Sequence, residues 1–216
     1  PLYAALERLD HTLLEAARHE PGLTLIDGAA SEITPKADEV IVAVEGRAAV
    51  HGRLVVGADG RQSKARAAAA LPTREWRYPQ AALITILKHD VPHDDISTEF
   101  HGRNGPFVLV PMPGNRSSIV LVEATEEAER LAALEPTALA SVLERRSHSI
   151  LGKIEVDSPV QVYPLSGMTA LSFAKSRIAV VGEAAHVFPP SGAQGLNLGL
   201  RDVASLAEVV GQARKR

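Results

Sequence analysis

Two short segments of the chain carry residue types suited to binding a charged, hydroxylated ligand. The first spans residues 57–66 (GADGRQSKAR), where two glycines bracket Asp59 after an apolar run. Glycine lets a backbone approach a ligand closely, a carboxylate accepts hydrogen bonds from hydroxyls, and Arg61 or Arg66 could pair with phosphate oxygens. A glycine-rich turn closed by an Asx hydrogen bond explains the same residues, so both interpretations stay open here.

The second segment spans residues 182–199 (GEAAHVFPPSGAQGLNLG) and follows the continuous apolar run of residues 178–181. Such a run predicts a strand covered on both faces. Leu196, Leu200 and Val203 recur at helical spacing, which predicts a terminal helix with free amides at its start. Loops beyond the carboxyl ends of strands commonly bind ligands, and a helix N-terminus favours negative charge. The second segment therefore predicts a binding site.

Several other chemistries are excluded. Glu183 and His186 have the spacing of a carboxylate–imidazole metal pair on a helix, but no second such pair exists and the other histidines are scattered. We therefore predict no metal site, and His186 is interpreted as a capping or packing residue. The sequence contains no G-x-G-x-x-G, no G-x-x-x-x-G-K-[ST] and no G-x-S-x-G, the patterns of dinucleotide folds, P-loops and serine hydrolases.

The amino-acid composition excludes further classes of protein. The 216 residues hold 23 Lys and Arg against 26 Asp and Glu, for a net charge of −3, which argues against a broad nucleic-acid surface. The absence of cysteine excludes disulfides, thiolate catalysis and Cys-ligated zinc. No apolar run reaches the roughly 20 residues that span a bilayer.

The pattern of apolar residues predicts the elements that must position the two segments. Helical spacing covers residues 2–19, and short β-branched runs from 23 to 56 predict an antiparallel meander that leads into Gly57. Residues 79–124 alternate apolar runs with turn residues, which predicts an antiparallel sheet. Two further helices (126–134 and 137–146), returning strands and a terminal helix are also predicted, which gives an α/β, mixed α+β chain.

Together the two segments resemble those of the FAD-dependent aromatic hydroxylases of the para-hydroxybenzoate hydroxylase type, the group A flavoprotein monooxygenases. Residues 57–66 are similar to the family's G-x-D-G-x-x-S-x-x-R motif. Residues 182–202 are similar to its G-D-A-A-H-x-x-x-P-x-x-G-Q-G-x-N-x-G-x-x-D motif. The stretches GPFVLVP (105–111), YPL (163–165) and GLNLGLRD (195–202) resemble the ubiquinone-biosynthesis hydroxylases.

The resemblance implies a fold and a set of binding residues. It implies a partial FAD-binding domain over residues 1–70 and 171–216, with an inserted, mostly antiparallel substrate domain over 71–170. The first motif would contact the flavin pyrophosphate and NAD(P)H, the second the ribityl chain and isoalloxazine. Pro189 and Gly195 would form the catalytic flavin environment, with no side-chain acid or base. The implied cofactor-binding residues are Gly57, Asp59, Gly60, Arg66, Gly182, Glu183, Pro189, Gly195, Leu196 and Asn197, with Glu183 standing where the family motif has Asp.

The resulting hypothesis is an FAD-dependent, NAD(P)H-using monooxygenase that hydroxylates an aromatic ring with molecular oxygen. Its expected substrate is a polyprenylated ubiquinone precursor, and its expected location is the cytoplasm, in peripheral contact with the inner face of the membrane or a biosynthetic complex. Because the family's G-x-G-x-x-G unit is not in the sequence, we expect a fragment that by itself binds FAD weakly and is inactive. The alternative is a non-catalytic binding module for an apolar ligand or partner with relic flavin motifs. A flavin halogenase or dehydrogenase relative is a third candidate.

Overall fold

A computed structural model describes residues 2–190, 192 and 194–215. The chain divides into two compact units. The sheet unit comprises the segment up to Leu25 together with Tyr78–Leu165, and the motif unit comprises Ile26–Arg77 together with the chain from Ser166 onward. The chain therefore passes from one unit to the other near residues 25, 77 and 165, whereas the sequence predicted domain boundaries at 70 and 170. Assignment of the units to a substrate and a cofactor domain stays a prediction.

The sheet unit is built on an antiparallel sheet, as predicted for residues 79–124. The long strand β5 (Thr73–His89) pairs with β8 (Arg116–Ala124) through the register Leu83↔Leu121. Strand β8 also pairs with β7 (Pro106–Met112), which pairs with β6 (Thr98–His101). A short strand β9 (Ile154–Val156) pairs with the last residues of β5. The unit also contains the start of β10 (Gln161–Ala170).

The sheet unit also contains three helices, two of which pack into its core. Helix α1 (Leu2–His19) confirms the predicted N-terminal helix, and α3 (Thr125–Ala132) and α4 (Pro136–Arg146) confirm the two predicted after the sheet. Pro136 occupies the first turn of α4, where its missing N–H costs nothing. Apolar side chains of the sheet and of α3 and α4 form one buried cluster that includes Leu83, Leu87, Ile119, Leu121, Leu131, Leu139 and Leu143.

The motif unit begins with a small meander that differs from the predicted one. Strands β1 (Ala30–Pro35), β2 (Val40–Val44) and β3 (Val50–Gly52) form the expected antiparallel sheet. The predicted strand over residues 23–26 is wrong, because this apolar run forms neither strand nor helix. The assignment of residues 54–56 to the meander is also wrong, because β4 (Val55–Gly57) pairs in parallel with β12 (Ile178–Val180).

The rest of the motif unit surrounds this parallel pair. Helix α2 (Lys64–Ala68) follows β4, and a 3-10 helix (Gly182–Ala184) follows β12. Strand β13 (His186–Val187) pairs with the end of β10, β11 (Ala174–Lys175) pairs with β12, and helix α5 (Gly195–Ala213) follows. Residues from these elements form the unit's core, which includes Val40, Ala65, Ala69, Leu71, Ile178, Val180 and Ala184. None of the helices in the described parts of the chain has the length and hydropathy of a membrane span.

Candidate functional site

The parallel pairing of β4 and β12 brings the two predicted segments to one edge of a sheet. Gly57 is the register partner of Val180, and the Val181 amide donates to the Gly57 carbonyl oxygen over 3.0 Å. Both segments leave the sheet at the carboxyl ends of their strands, which is where sheets of this kind bind ligands. Residues separated by more than a hundred positions are thus neighbours within the motif unit.

The Asp59 carboxylate forms hydrogen bonds with residues of its own segment. It accepts hydrogen bonds from the Ser63 hydroxyl (2.5 Å) and the Ala65 amide (3.1 Å), and Ser63 Oγ in turn accepts from the Arg66 amide (2.9 Å). These contacts cap the start of helix α2. Partial burial raises the pKa of Asp59, but the hydrogen bonds from Ser63 and Ala65 outweigh it, so the pKa lies below its ordinary value. The Asx-type interpretation of this segment therefore describes Asp59, and its contact with a cofactor stays a prediction.

Arg66 also donates to the chain itself. One terminal nitrogen donates to the Ala184 carbonyl oxygen over 2.8 Å, and the other donates to the Arg61 carbonyl oxygen over 2.7 Å. The guanidinium fork therefore joins the first motif to the 3-10 helix of the second. A direct contact between Arg66 and a phosphate stays a prediction, because the structure places both terminal nitrogens on backbone oxygens.

Two glycines of the first motif, Gly57 and Gly60, are required for different physical reasons. Gly57 is buried, and a Cβ at this position would lie 2.4 Å from the Ala65 Cβ, so glycine lets helix α2 approach the strand. Gly60 has φ +76°, and a Cβ there would meet no atom within 4 Å. Its backbone therefore faces open space that a ligand could reach.

The second motif exposes an unpaired carboxylate. Glu183 is solvent-exposed and makes no hydrogen bond or ion pair with any residue that the structure describes. Its neighbours are held tightly: Gly182 takes the left-handed φ of +60°, and its amide donates to Asp202 Oδ2 over 2.8 Å. The Glu183 carboxylate is therefore available to a hydroxylated ligand while its backbone is fixed.

His186 is a buried packing residue, in agreement with its interpretation from sequence. Its Nε2 lies 2.7 Å from Asp202 Oδ2, and its ring is near those of Phe173 and Phe188, with centroid distances of 6.4 and 5.2 Å. Since a carboxylate can only accept, Nε2 donates this bond. Within the described parts of the chain, no group of three or more His, Cys, Asp or Glu could hold a metal ion.

The start of helix α5 offers unsatisfied amides. Gly195, Leu196 and Asn197 form the exposed first turn, and the N-cap residue Gln194 makes no side-chain capping bond. The first amides of a helix have no intrahelical acceptor and carry the positive end of its dipole. Pro189 is half-buried in the preceding loop, and Ser191 and Ala193 of that loop lie outside the described residues.

A cavity of about 570 Å³ opens beside the first motif, wholly within the motif unit. Its walls include Arg61, Trp76, Arg77 and Gly167. Arg61 donates to Ser166 Oγ over 3.2 Å, whereas Arg77 has no hydrogen-bond or ion-pair partner among the described residues. The sequence gives no sign of this cavity, because only the pairing of β5 with β10 brings Trp76 against Gly167.

One arrangement in the sheet unit looks catalytic and is not. His89 Nε2 lies 3.1 Å from Ser117 Oγ, which is the first contact of a hydrolytic serine–histidine pair. However, Ser117 is only 1% exposed, and His89 Nδ1 faces the Val91 carbonyl oxygen instead of a carboxylate. No substrate reaches this serine, so the pair is structural.

The residues present fit a bound flavin. The exposed amides at the start of α5 suit an anionic ring edge, the unpaired Glu183 suits ribityl hydroxyls, and the open space at Gly60 admits a ligand close to the backbone. Each of these features was predicted to bind FAD, and the assignments of individual residues stay predictions.

Comparison with known proteins places the chain among FAD-binding proteins. The FAD binding domain family matches residues 4–215. A ubiquinone hydroxylase of Rhodospirillum rubrum is 42% identical over 159 residues, which is 74% of this chain and 37% of that protein. The 3-demethoxyubiquinol 3-hydroxylase of Escherichia coli is 27% identical over 207 residues, covering 95% of this chain and 53% of its own length. The chain thus spans about half of these relatives or less.

Solved structures share the fold. The structure of PqsL from Pseudomonas aeruginosa in complex with 2-aminobenzoylacetate superposes with a TM-score of 0.80 at 22% identity, over 96% of this chain and 59% of that one. The flavin-dependent halogenase CmlS gives a TM-score of 0.74 at 19% identity, over 93% of this chain and 38% of that one. These likenesses confirm the predicted mixed α/β fold with its antiparallel sheet.

Proposed function

Because the chain belongs to the FAD-binding-domain family of flavoprotein monooxygenases of the para-hydroxybenzoate hydroxylase type, we propose that it forms part of the flavin and nicotinamide site of an aromatic-ring hydroxylase. The observation that carries the proposal is in the motif unit. Glu183 is exposed and without a partner among the described residues, and the neighbouring helix α5 begins with uncapped amides.

Each part of this site has a distinct task. FAD, when bound, supplies the redox chemistry that uses NAD(P)H and O₂ to place one oxygen atom on the ring, the other leaving as water. Glu183 would accept hydrogen bonds from the ribityl hydroxyls. The amides of Gly195, Leu196 and Asn197 would stabilise the negative charge that the flavin ring gains on reduction, with the helix dipole adding to the effect. Pro189 would shield the ring from water.

The cavity beside the first motif is our candidate for the nicotinamide cofactor. Its two guanidinium groups, Arg61 and Arg77, can pair with phosphate oxygens, and the indole of Trp76 offers an aromatic surface for a base or nicotinamide ring. Arg77 has no described partner in the chain, so it can turn to a phosphate without breaking an existing contact.

The substrate we propose is a polyprenylated phenol of ubiquinone synthesis. Two relatives carry names of this kind, a ubiquinone hydroxylase and a demethoxyubiquinol hydroxylase. The sheet unit would hold the substrate ring and its apolar tail. Because a polyprenyl tail partitions into lipid, the substrate would be taken up in peripheral contact with the inner face of the membrane.

The test uses protein expressed from the complete gene, incubated with FAD, O₂, NADH or NADPH and a short-chain polyprenylphenol. We expect substrate-stimulated NAD(P)H oxidation and a product heavier by one oxygen atom. Protein that neither retains FAD nor oxidises NAD(P)H would overturn the proposal and favour a non-catalytic binding module. The product's mass also separates hydroxylation from halogenation, because only the latter incorporates halide.

A further inference from the structure

Asp202 holds the backbone next to the exposed Glu183. One carboxylate oxygen, Oδ2, accepts from the Gly182 amide over 2.8 Å and from His186 Nε2 over 2.7 Å. The two donors stand on either side of Glu183 in the chain. A single acceptor on helix α5 therefore fixes the segment that carries the free carboxylate.

The contact depends on a close approach of helix α5 to this segment. Gly199 lies one helical turn before Asp202 on the same face, and a Cβ at Gly199 would come within 3.5 Å of the Gly182 Cα. Since side chains in a helix lean toward its N-terminus, the Asp202 carboxylate projects back toward the end of β12. The helix surface thus meets the Gly182 backbone through Gly199 and the carboxylate of Asp202.

The other end of the same 3-10 helix is held independently. Arg66 donates to the Ala184 carbonyl oxygen over 2.8 Å. Glu183 therefore lies between two fixed residues, with Gly182 held by Asp202 and Ala184 held by Arg66. Such fixation orders a binding group before the ligand arrives, which reduces the entropy lost on binding.

We propose that Asp202 is a positioning residue: by holding the backbone on either side of Glu183 to helix α5, it orients Glu183 toward the flavin. The role of Asp202 toward the flavin rests on the proposed function. Its hydrogen bond to the Gly182 amide is independent of that function. The acceptor oxygen, more than the charge, performs this task, because both donors meet one atom. Asparagine can place its carbonyl oxygen there, whereas alanine offers no acceptor.

The experiment compares Asp202→Ala and Asp202→Asn with the parent in protein from the complete gene. Glu208→Ala, which removes an exposed carboxylate from the same helix, is the matched control. In the absence of FAD, we expect Asp202→Ala to speed hydrogen exchange of the Gly182 amide about tenfold or more, as loss of the acceptor of this amide implies. Asp202→Asn and Glu208→Ala should exchange at close to the parent rate.

With FAD added, Asp202→Ala should bind flavin about tenfold more weakly and shift the visible absorption of the bound flavin, and Asp202→Asn should restore both. If the alanine variant does not fold, Asp202→Glu, which displaces the oxygen by one methylene, replaces it with the same expectations. Parent-like exchange and affinity in the displaced variants would overturn the proposal, as would faster exchange with unchanged flavin affinity and spectrum. If the parent itself fails to bind FAD, the proposed function and the flavin role of Asp202 both fall, and the exchange data still decide its hold on Gly182.

Discussion

The guanidinium of Arg66 donates a 2.8 Å hydrogen bond to the carbonyl oxygen of Ala184, a residue 118 positions further along the chain. Its second terminal nitrogen donates to Arg61 of its own motif. A side chain that the resemblance assigns to a cofactor phosphate thus joins the two motifs within the motif unit. Any effect of replacing Arg66 on cofactor binding therefore includes the effect of loosening the second motif.

Arg66→Lys and Arg66→Ala should both destabilise the protein. Lysine cannot span two acceptors with a rigid fork, so we expect a loss of about 1 kcal/mol. Alanine should cost about 2 kcal/mol, because the part-buried hydrogen bond to the Ala184 carbonyl and the exposed one to the Arg61 carbonyl are both lost. Denaturant unfolding measures both values. Arg74→Ala, which removes an exposed arginine without a described partner, should change stability by less than about 0.5 kcal/mol. If Arg66→Ala is as stable as the parent, the hydrogen bonds by which Arg66 joins the two motifs do not stabilise the fold.

Ionisation of Asp59 should make the free energy of unfolding depend on pH. Its pKa in the folded chain lies below the ordinary value of 3.8, so the unfolded state binds the proton more readily. The stabilisation by the ionised carboxylate is therefore complete above the ordinary value and is lost as the pH falls through the folded pKa. Because Glu39, Glu127 and Asp157 also have lowered pKa values, the measured quantity is a difference: Asp59→Asn should lose less stability than the parent between about pH 5 and pH 3. If the unfolding free energies of Asp59→Asn and the parent fall equally with pH over this range, Asp59 does not contribute this pH dependence.

Gly167→Ala should disturb the cavity wall. A Cβ at Gly167 would lie 2.2 Å from the ring atoms of Trp76, so the indole or the strand must move, at a cost of about 1–3 kcal/mol. Trp76 is the chain's single tryptophan, and its fluorescence reports the displacement directly. In Gly211→Ala the new Cβ meets no atom within 4 Å, so this helix variant should be as stable as the parent or slightly more so. Unchanged fluorescence and stability in Gly167→Ala would mean that the wall is not packed as described.

Arg61 and Arg77 should govern affinity for the nicotinamide cofactor. Replacing both with alanine removes two cations from the cavity, so we expect KM for NAD(P)H to rise about tenfold or more with a smaller change in kcat. Steady-state NAD(P)H oxidation measures both constants. Arg74→Ala, on strand β5 with Arg77, controls for a general loss of positive charge. A rise in KM for the aromatic substrate alone would place that substrate, and not NAD(P)H, in the cavity.

The sequence located both chemical segments because their glycines, prolines and carboxylates are local features. It could not show where their side chains point. Asp59 and Arg66 have the right types for ligand contacts, yet their partners are the start of α2 and the distant Ala184, and such partners exist only in the folded chain. Asp202 was part of the quoted motif but received no role, for the same reason.

The strands show the same division between local and remote information. Helix α1 and the antiparallel strands β7 and β8 follow from periodicity and turn residues, and the helix over residues 2–19 and the sheet within residues 79–124 are confirmed. Residues 54–56 read as the last strand of a meander, yet β4 pairs with β12, a strand more than a hundred positions away. The run at 23–26 has strand composition but no partner. Pairing, unlike propensity, is decided by the whole fold.

The central claim is that Glu183 and the start of helix α5 bind flavin, and a fluorescence titration of FAD tests it most directly. The titration uses protein from the complete gene, its Glu183→Ala variant and the Glu208→Ala control. We predict stoichiometric FAD binding by the parent and the control, and binding about tenfold weaker or more by Glu183→Ala, because the ribityl hydroxyls lose a charged acceptor. A parent that binds no FAD, or a Glu183→Ala variant that binds it as tightly as the parent, would contradict the claim.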